Sequence, residues 1–137
     1  MNDEQFTQAI LSRVQTLYRV TYTQLPQLSD QQDAVQEALR RAWEKRLQLR
    51  SEEYLQTWLI RILLNVCHDM QKQQKRVQPK EYLPLPAADS PKTETRDALL
   101  KLDEKLRLPI ILHYLEGYSI AQTARMLDAR RAPSKRA

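Results

Sequence analysis

The stretch SEEYLQTWLIRILLNVCHDMQKQQKR, residues 51–76, decides the fold of this chain. Its apolar residues recur at helical period and form one broad stripe, which predicts a helix held by a hydrophobic core. The stripe consists of Leu55, Trp58, Leu59, Ile62, Leu63, Val66 and Met70. The opposite face carries Gln56, Arg61, Asn65, Asp69, Lys72 and Gln73, and the stretch ends on Lys75 and Arg76.

This opposite face is basic and rich in amides. Arg and Lys side chains bind phosphate oxygens, and Asn and Gln side chains pair with base edges. The pattern therefore fits a helix that contacts nucleic acid. It is equally typical of a helix face that is only solvated, and this stretch alone does not separate the two interpretations.

The composition predicts an all-α protein. The 137 residues contain one glycine, too few for a sheet rich in tight turns, and helix-forming residues dominate. The length allows one ordinary domain or two small helical units joined by a linker.

Positive charge is concentrated in two parts of the chain. The net charge is +5, and residues 40–80 hold ten basic and four acidic groups, while residues 128–137 hold four basic and one acidic. This distribution fits a surface for a polyanion, although solubility alone also accounts for it.

Several classes of protein are disfavoured. The single cysteine, Cys67, cannot form an internal disulfide and is interpreted as a packing residue. No apolar run reaches the ~20 residues of a membrane span, and no signal peptide is recognised, so we expect a cytoplasmic protein without membrane insertion. The two histidines, His68 and His113, are isolated, so we expect no metal site, no cofactor, no catalytic residues and no enzymatic activity.

Two helices are predicted before the central stretch. Residues 4–24 form the first, which ends at Leu25-Pro26 because proline disfavours helical geometry in the residue before it. Ser29 starts the second through a capping box with Gln32, and Ser51 caps the third. The predicted buried stripe of the second helix is Val35, Ala38, Leu39, Ala42 and Trp43.

A linker and a second unit follow. Residues 77–96 contain four prolines and no helical period, so we expect a semi-extended linker. In the second unit, Pro109 starts or kinks a helix, and Gly117 takes positive φ at a helix end. Ser119 and Gln122 form a further capping box, which gives the first half of a helix-turn-helix.

The chain resembles the extracytoplasmic-function sigma factors of the sigma-70 family of bacterial transcription initiation factors. DQQDAVQEALRRAW, residues 30–43, resembles the polymerase-binding helix of the family. TWLIRILLN, residues 57–65, with Asp69 and Arg76, resembles its minus-ten promoter helix. LRLPIILHYLEGYSIAQTA, residues 106–124, resembles the start of its minus-thirty-five domain.

The resemblance implies an all-α fold with three parts: a three-helix domain that binds polymerase and the minus-ten element (1–76), a Pro-rich linker (77–96) and an incomplete helix-turn-helix unit (97–137). It implies core RNA polymerase and promoter DNA as partners, and family analogy alone adds an anti-sigma factor. The largest subunit's clamp helices would be bound by Asp33, Gln36, Glu37 and Arg40. The third helix and the loop before it would bind the melting minus-ten element.

Roles on the third helix follow from the same resemblance. Arg61 and Asn65 are assigned to base or sugar contacts, and Asp69 belongs to the same DNA-binding surface. Backbone contacts are assigned to Lys72, Gln73, Lys75 and Arg76. Trp43 and Trp58 are interpreted as core residues because both fall on apolar stripes, and the two histidines as structural or incidental.

The chain departs from the family after Leu127, where DARRAPSKRA stands in place of a recognition helix. Read from the third base of the Ala129 codon, permitted codons allow Pro-Glu-Gly-Thr-Val-Lys-(Ala or Thr)-Arg, which resembles the expected motif. We therefore expect a frameshift in the gene or in its sequencing, which the DNA sequence tests. We also expect weak duplex recognition and under-covered apolar side chains in the second unit, namely Ile111, Leu115, Ile120 and Leu127.

Two functions are compatible with these patterns. The first is a sigma factor that directs promoter-specific initiation. The second is a truncated sigma remnant that binds polymerase without directing initiation, and run-off transcription with core polymerase distinguishes them.

Overall fold

A computed structural model gives two compact units, Met1–Ser90 and Pro91–Ala137. It describes residues 1–74 of the first and 91–131 of the second. These residues form seven α-helices and no strand, which confirms the all-α prediction. The helices are α1 (Asp3–Leu11), α2 (Val14–Tyr22), α3 (Leu28–Glu44), α4 (Leu55–Gln74), α5 (Thr93–Leu100), α6 (Glu104–Ile110) and α7 (Ile120–Arg131).

The core of the first unit lies between α3 and α4, with α2 packed against both. The predicted stripe of α4 faces this core, with Trp58 and Met70 at its half-buried margins. Ile60, Leu64 and Cys67 are also buried, so α4 is enclosed over a wider arc than its apolar stripe predicted. Cys67 is buried among these side chains, which confirms its interpretation as a packing residue.

The single helix predicted over residues 4–24 is wrong, because the chain breaks between α1 and α2. Ser12 Oγ and Arg13 Nη1 both donate to the carbonyl of Ala9, at 2.7 and 2.9 Å. Side chains that bond a carbonyl of the preceding turn compete with the helical backbone pattern. The spacing of apolar residues does not report on this competition, so the break was not predicted.

The predicted capping box at Ser29 and the predicted cap at Ser51 are wrong as well. α3 begins at Leu28 without a side-chain cap, and buried Gln31 donates instead from Nε2 to the carbonyl of Leu25 at 2.9 Å. Ser51 precedes a 3₁₀ turn (Glu52–Tyr54) and makes no side-chain cap. α4 begins at Leu55, directly after that turn.

An aromatic cluster closes one end of the first unit. Phe6 packs between Trp43 and Trp58, with ring centroids 6.2 and 6.0 Å away. Trp43 is 38% exposed, which contradicts its interpretation as a core residue. Its outer face is covered by the guanidinium of Arg46, which belongs to a 3₁₀ turn (Arg46–Gln48) that follows α3.

The second unit begins earlier than expected. α5 starts at Thr93, so the last residues of the predicted linker are helical, and Arg96 and Leu99 are buried. The remainder of that linker, residues 77–90, lies outside the described residues. The boundaries 1–76, 77–96 and 97–137 of the functional parts stay a prediction.

Pro109 lies inside α6, whose helical path continues as a π-helical turn, Ile111–Leu115. Proline lacks the amide that would close the α-helical hydrogen bond. In the π turn, the amide of Glu116 donates to the carbonyl of Ile111 at 3.0 Å. Gly117 follows at φ +82°, which confirms its predicted positive φ.

The predicted capping box of α7 is confirmed. The amide of Gln122 donates to Ser119 Oγ at 3.0 Å, and the amide of Ser119 donates to Gln122 Oε1 at 2.9 Å. Of the side chains expected to be under-covered, Ile111 is buried at 1% exposure, whereas Leu115 and Ile120 are 37% and 75% exposed. α7 packs against both α6 and the π turn, so the prediction that Ile111 is under-covered is wrong.

Candidate nucleic-acid interface

The predicted DNA-binding side chains of α4 lie along its surface. Arg61, Asn65 and Asp69 follow at four-residue steps, which places them on one row about 12 Å long. Arg61 and Asn65 are half-buried and Asp69 is exposed. Lys72 and Gln73 extend the row and are exposed, whereas Lys75 and Arg76 lie outside the described residues.

The ends of Arg61 and Asn65 are available to a ligand. Within residues 1–74 and 91–131, neither side chain has a hydrogen-bond partner. The guanidinium has five donors, and the amide has two donors and one acceptor. The half-buried stems fix the positions of these groups while their hydrogen-bonding capacity stays unused.

The predicted polymerase-binding side chains lie on α3, but two of the four, Glu37 and Arg40, are bonded to each other. Asp33 and Gln36 are exposed. Glu37 accepts two hydrogen bonds from Arg40, at 3.0 and 2.6 Å, and one from the Nε of Arg41 at 2.8 Å. These hydrogen bonds lower the pKa of Glu37 from 4.5 to about 2.

Arg41, which the sequence analysis left without a role, joins α3 to α4. Its Nη2 lies 3.8 Å from Oδ2 of Asp69, in an ion pair between the two helices. The spacing of Glu37 and Arg41, four residues apart on one helix, could have indicated the first pairing. No sequence pattern indicated the ion pair between Arg41 and Asp69, which depends on how α3 packs against α4.

The segment between α3 and α4 borders a groove. Leu47 is 91% exposed, and residues from α1 form the opposite wall. The groove has a volume of about 490 Å³. Its lining consists of Met1, Asp3, Gln5, Phe6, Arg46, Leu47, Leu49, Arg50, Ser51 and Glu52. The sequence analysis pointed to the loop before α4 but missed the contribution of α1.

The described residues offer little for other kinds of site. In residues 1–74 and 91–131, no group of three His, Cys, Asp or Glu side chains could hold a metal ion. None of the helices in these ranges is long and apolar enough to cross a membrane. His113 Nδ1 donates to the carbonyl of Tyr118 at 2.7 Å, which fixes the ring and supports its structural interpretation.

Comparison with known families covers both units. The model for sigma-70 region 2 matches residues 10–77, which contain α3 and α4, and the model for sigma-70 region 4 matches residues 92–132. The chain belongs to the sigma-70 family. Both halves therefore match, in order, the two parts that the resemblance implied.

Curated relatives agree with this assignment. The chain is 34% identical to the ECF RNA polymerase sigma factor SigM of Mycobacterium tuberculosis over 105 residues, which cover 72% of this chain and 53% of SigM. It is 26% identical to the RNA polymerase sigma factor SigV of Bacillus subtilis over 135 residues, which cover 90% of this chain and 81% of SigV. The chain thus spans about half the length of SigM, and the resemblance to extracytoplasmic-function sigma factors is confirmed.

Proposed function

We propose that this chain binds core RNA polymerase and directs promoter-specific initiation of transcription by recognising and melting the minus-ten element. The observation that carries the proposal is the match of residues 10–77 to sigma-70 region 2, combined with two packed helices whose hydrophilic faces point outward. One helix supplies a surface for a protein partner, and the other supplies a surface for DNA.

The proposed polymerase surface is the outer face of α3. Asp33 and Gln36 are exposed and can form direct contacts with the clamp helices of the largest subunit. Glu37 and Arg40 are bonded to each other, so they present a pre-oriented ion pair rather than two separate charges. A pre-oriented surface loses less side-chain entropy on binding than one with free charges.

The proposed DNA surface is the polar row of α4. Arg61 and Asn65 are assigned to bases or sugars because they are half-buried and their side chains have no hydrogen-bond partner among the described residues. Lys72 and Gln73 are assigned to the backbone because they are exposed, and Lys75 and Arg76 are assigned to it from the sequence alone. Such phosphate contacts position a strand, whereas base contacts provide specificity.

The groove before α4 supports the melting step. Flipping a base costs a few kcal/mol, which stacking and edge hydrogen bonds offset. A volume of about 490 Å³ is large enough for a base, and the lining includes the side chain of Leu47, which is almost fully exposed. We propose that this groove takes a base of the opened minus-ten strand.

Three further parts of the proposal rest on the family. An anti-sigma factor as partner, a cytoplasmic location and a role in regulation rather than catalysis are predictions for this chain. Residues 92–132 match sigma-70 region 4, so contact with the minus-thirty-five element, which we expect to be weak, is assigned to the second unit.

The proposal is tested by binding to core polymerase and by promoter opening, with Asp33→Ala, Glu37→Ala and Asn65→Ala. The first two are expected to weaken polymerase binding, and the third to reduce opening while binding is retained. Gln15→Ala, an exposed change on α2, is the matched control. A chain that does not bind core polymerase contradicts the proposal, and one that binds without opening any promoter supports the polymerase-binding remnant instead.

A further inference from the structure

An acidic side chain stands in the middle of the polar row on α4. Asp69 lies between Asn65 and Lys72 on the surface proposed to face DNA, and its side chain is 58% exposed. A lone carboxylate there would repel phosphate oxygens. The structure shows what offsets this charge, namely the guanidinium of Arg41 from the neighbouring helix.

Arg41 is held from its other side. Its Nε donates to Oε2 of Glu37 at 2.8 Å, and its side chain is 30% exposed. The guanidinium is therefore fixed on α3 and directs Nη2 towards α4. Arg40 bonds the same carboxylate of Glu37 and also pairs with Glu44.

The contact between Arg41 and Asp69 offsets the negative charge of the carboxylate without forming a hydrogen bond to it. The distance of 3.8 Å is that of an ion pair and exceeds the range of a hydrogen bond. Within residues 1–74 and 91–131, no donor forms a hydrogen bond to Asp69. Both oxygens can therefore accept a hydrogen bond from a ligand.

We propose that Asp69 is a specificity-determining residue of the minus-ten surface and that Arg41 is the residue that positions it. A carboxylate only accepts hydrogen bonds, so on the major-groove edge of a base it favours the exocyclic amino group of cytosine or adenine over the carbonyl that guanine or thymine presents there. The proposal rests on the proposed function and adds one base preference, set by a residue of the polymerase-binding helix.

The test measures run-off transcription with core polymerase from templates that carry each of the four bases at each position of the minus-ten element. We expect the chain to prefer cytosine or adenine at one position. Asp69→Asn, which adds donors at the same size, should reduce that preference about 5-fold at that position. Arg41→Met should reduce it at the same position, because the carboxylate is no longer oriented.

The double variant distinguishes positioning from a general loss of stability. Two residues that act as a unit give non-additive effects, so Arg41→Met with Asp69→Asn should reduce the preference no more than Asp69→Asn alone. Lys45→Met removes an exposed cation at the end of the same helix and should leave the preference unchanged. Should Arg41→Met fail to fold, the exposed Asp69→Asn change still decides the role of Asp69.

The outcomes separate this inference from the function on which it rests. Transcription with an unchanged base preference in Asp69→Asn overturns the inference and leaves the proposed function intact. Loss of preference at different positions in the two single variants overturns the positioning role of Arg41. Absence of polymerase binding and transcription by the unmodified chain overturns both.

Discussion

The guanidinium of Arg46 lies 3.9 Å from the centroid of the Trp43 ring, on the face that would otherwise meet water. The same guanidinium donates from Nε to Oδ1 of Asp3 at 3.0 Å and from Nη1 to the carbonyl of Trp43 at 2.8 Å. Arg46 thus connects α1, the end of α3 and the groove before α4. These contacts hold the two walls of that groove together.

Arg46→Ala is therefore expected to destabilise the first unit by about 1 kcal/mol. A cation over an aromatic ring contributes about 0.5–1 kcal/mol at exposed sites, and the ion pair with Asp3, which is 65% exposed, adds little. Chemical denaturation measures the free energy of unfolding. Arg50→Ala, a change at an exposed arginine in the same groove, is the control, and equal effects of the two changes would contradict the role of Arg46.

The stability contributed by Glu37 should depend on pH. Its pKa is lowered to about 2, so this stability is fully present above about pH 4.5 and is lost as the pH falls towards 2. Water and salt screen the partly exposed pairs, and we therefore expect about 1 kcal/mol at neutral pH. The difference in unfolding free energy between the unmodified chain and Glu37→Gln should shrink across this window.

Glu44→Gln provides the comparison for Glu37. Within the described residues, Glu44 pairs with Arg40 alone and is 57% exposed, so its removal should have a smaller effect at neutral pH. The difference in unfolding free energy between the unmodified chain and Glu37→Gln could instead stay constant from pH 7 to pH 2. That result would show that the two arginine pairs do not stabilise the fold.

Gly117→Ala should destabilise the second unit through the backbone alone. The residue stands at φ +82°, and a Cβ there would meet no atom within 4 Å. The expected loss is about 1 kcal/mol, because side chains disfavour positive φ. Gly117→Asn should lose less, since asparagine tolerates this conformation better, and amide exchange in α7 reports the effect. Equal protection in all three proteins would contradict it.

Lys72→Met should weaken DNA binding in a way that depends on salt. If Lys72 contacts one phosphate, its loss lowers the slope of log affinity against log salt by about 1, with little change in base preference. Titrations of the polymerase-bound protein with promoter DNA at several salt concentrations measure the slope. Lys101→Met, an exposed change in the second unit, is the comparison. An unchanged slope in Lys72→Met would remove this residue from the proposed surface.

Periodicity and capping chemistry predicted much of the fold. The stripe of α4, the positive φ of Gly117 and the capping box of Ser119 are local, because a few neighbouring residues determine each of them. The break at Ser12 was missed because it depends on which side chain bonds the carbonyl of Ala9. Gln31 was missed because its partner, the carbonyl of Leu25, lies outside its helix.

The candidate surfaces were predicted as residue types but not as an arrangement. Periodicity placed Asp33 and Asn65 on polar faces, and the structure leaves both accessible. Periodicity could not show that Arg40 and Arg41 both bind the carboxylate of Glu37, or that Arg41 reaches α4. Both contacts depend on side-chain geometry and helix packing. The exposure of Trp43 was not predicted for the same reason, since the Arg46 guanidinium stacked on its ring lets this apolar residue lie at the surface.

The π-helical turn at Ile111–Leu115 fits one more residue into its span than an α-helix would. Each residue of an α-helix turns its successor by about 100°, so the inserted residue re-aims every side chain that follows. Removing one residue from this turn would restore the regular spiral and swing Gly117 away from the bend that leads into α7. Length variation at this position would therefore change the direction in which the last helix leaves the unit, with no change in composition elsewhere.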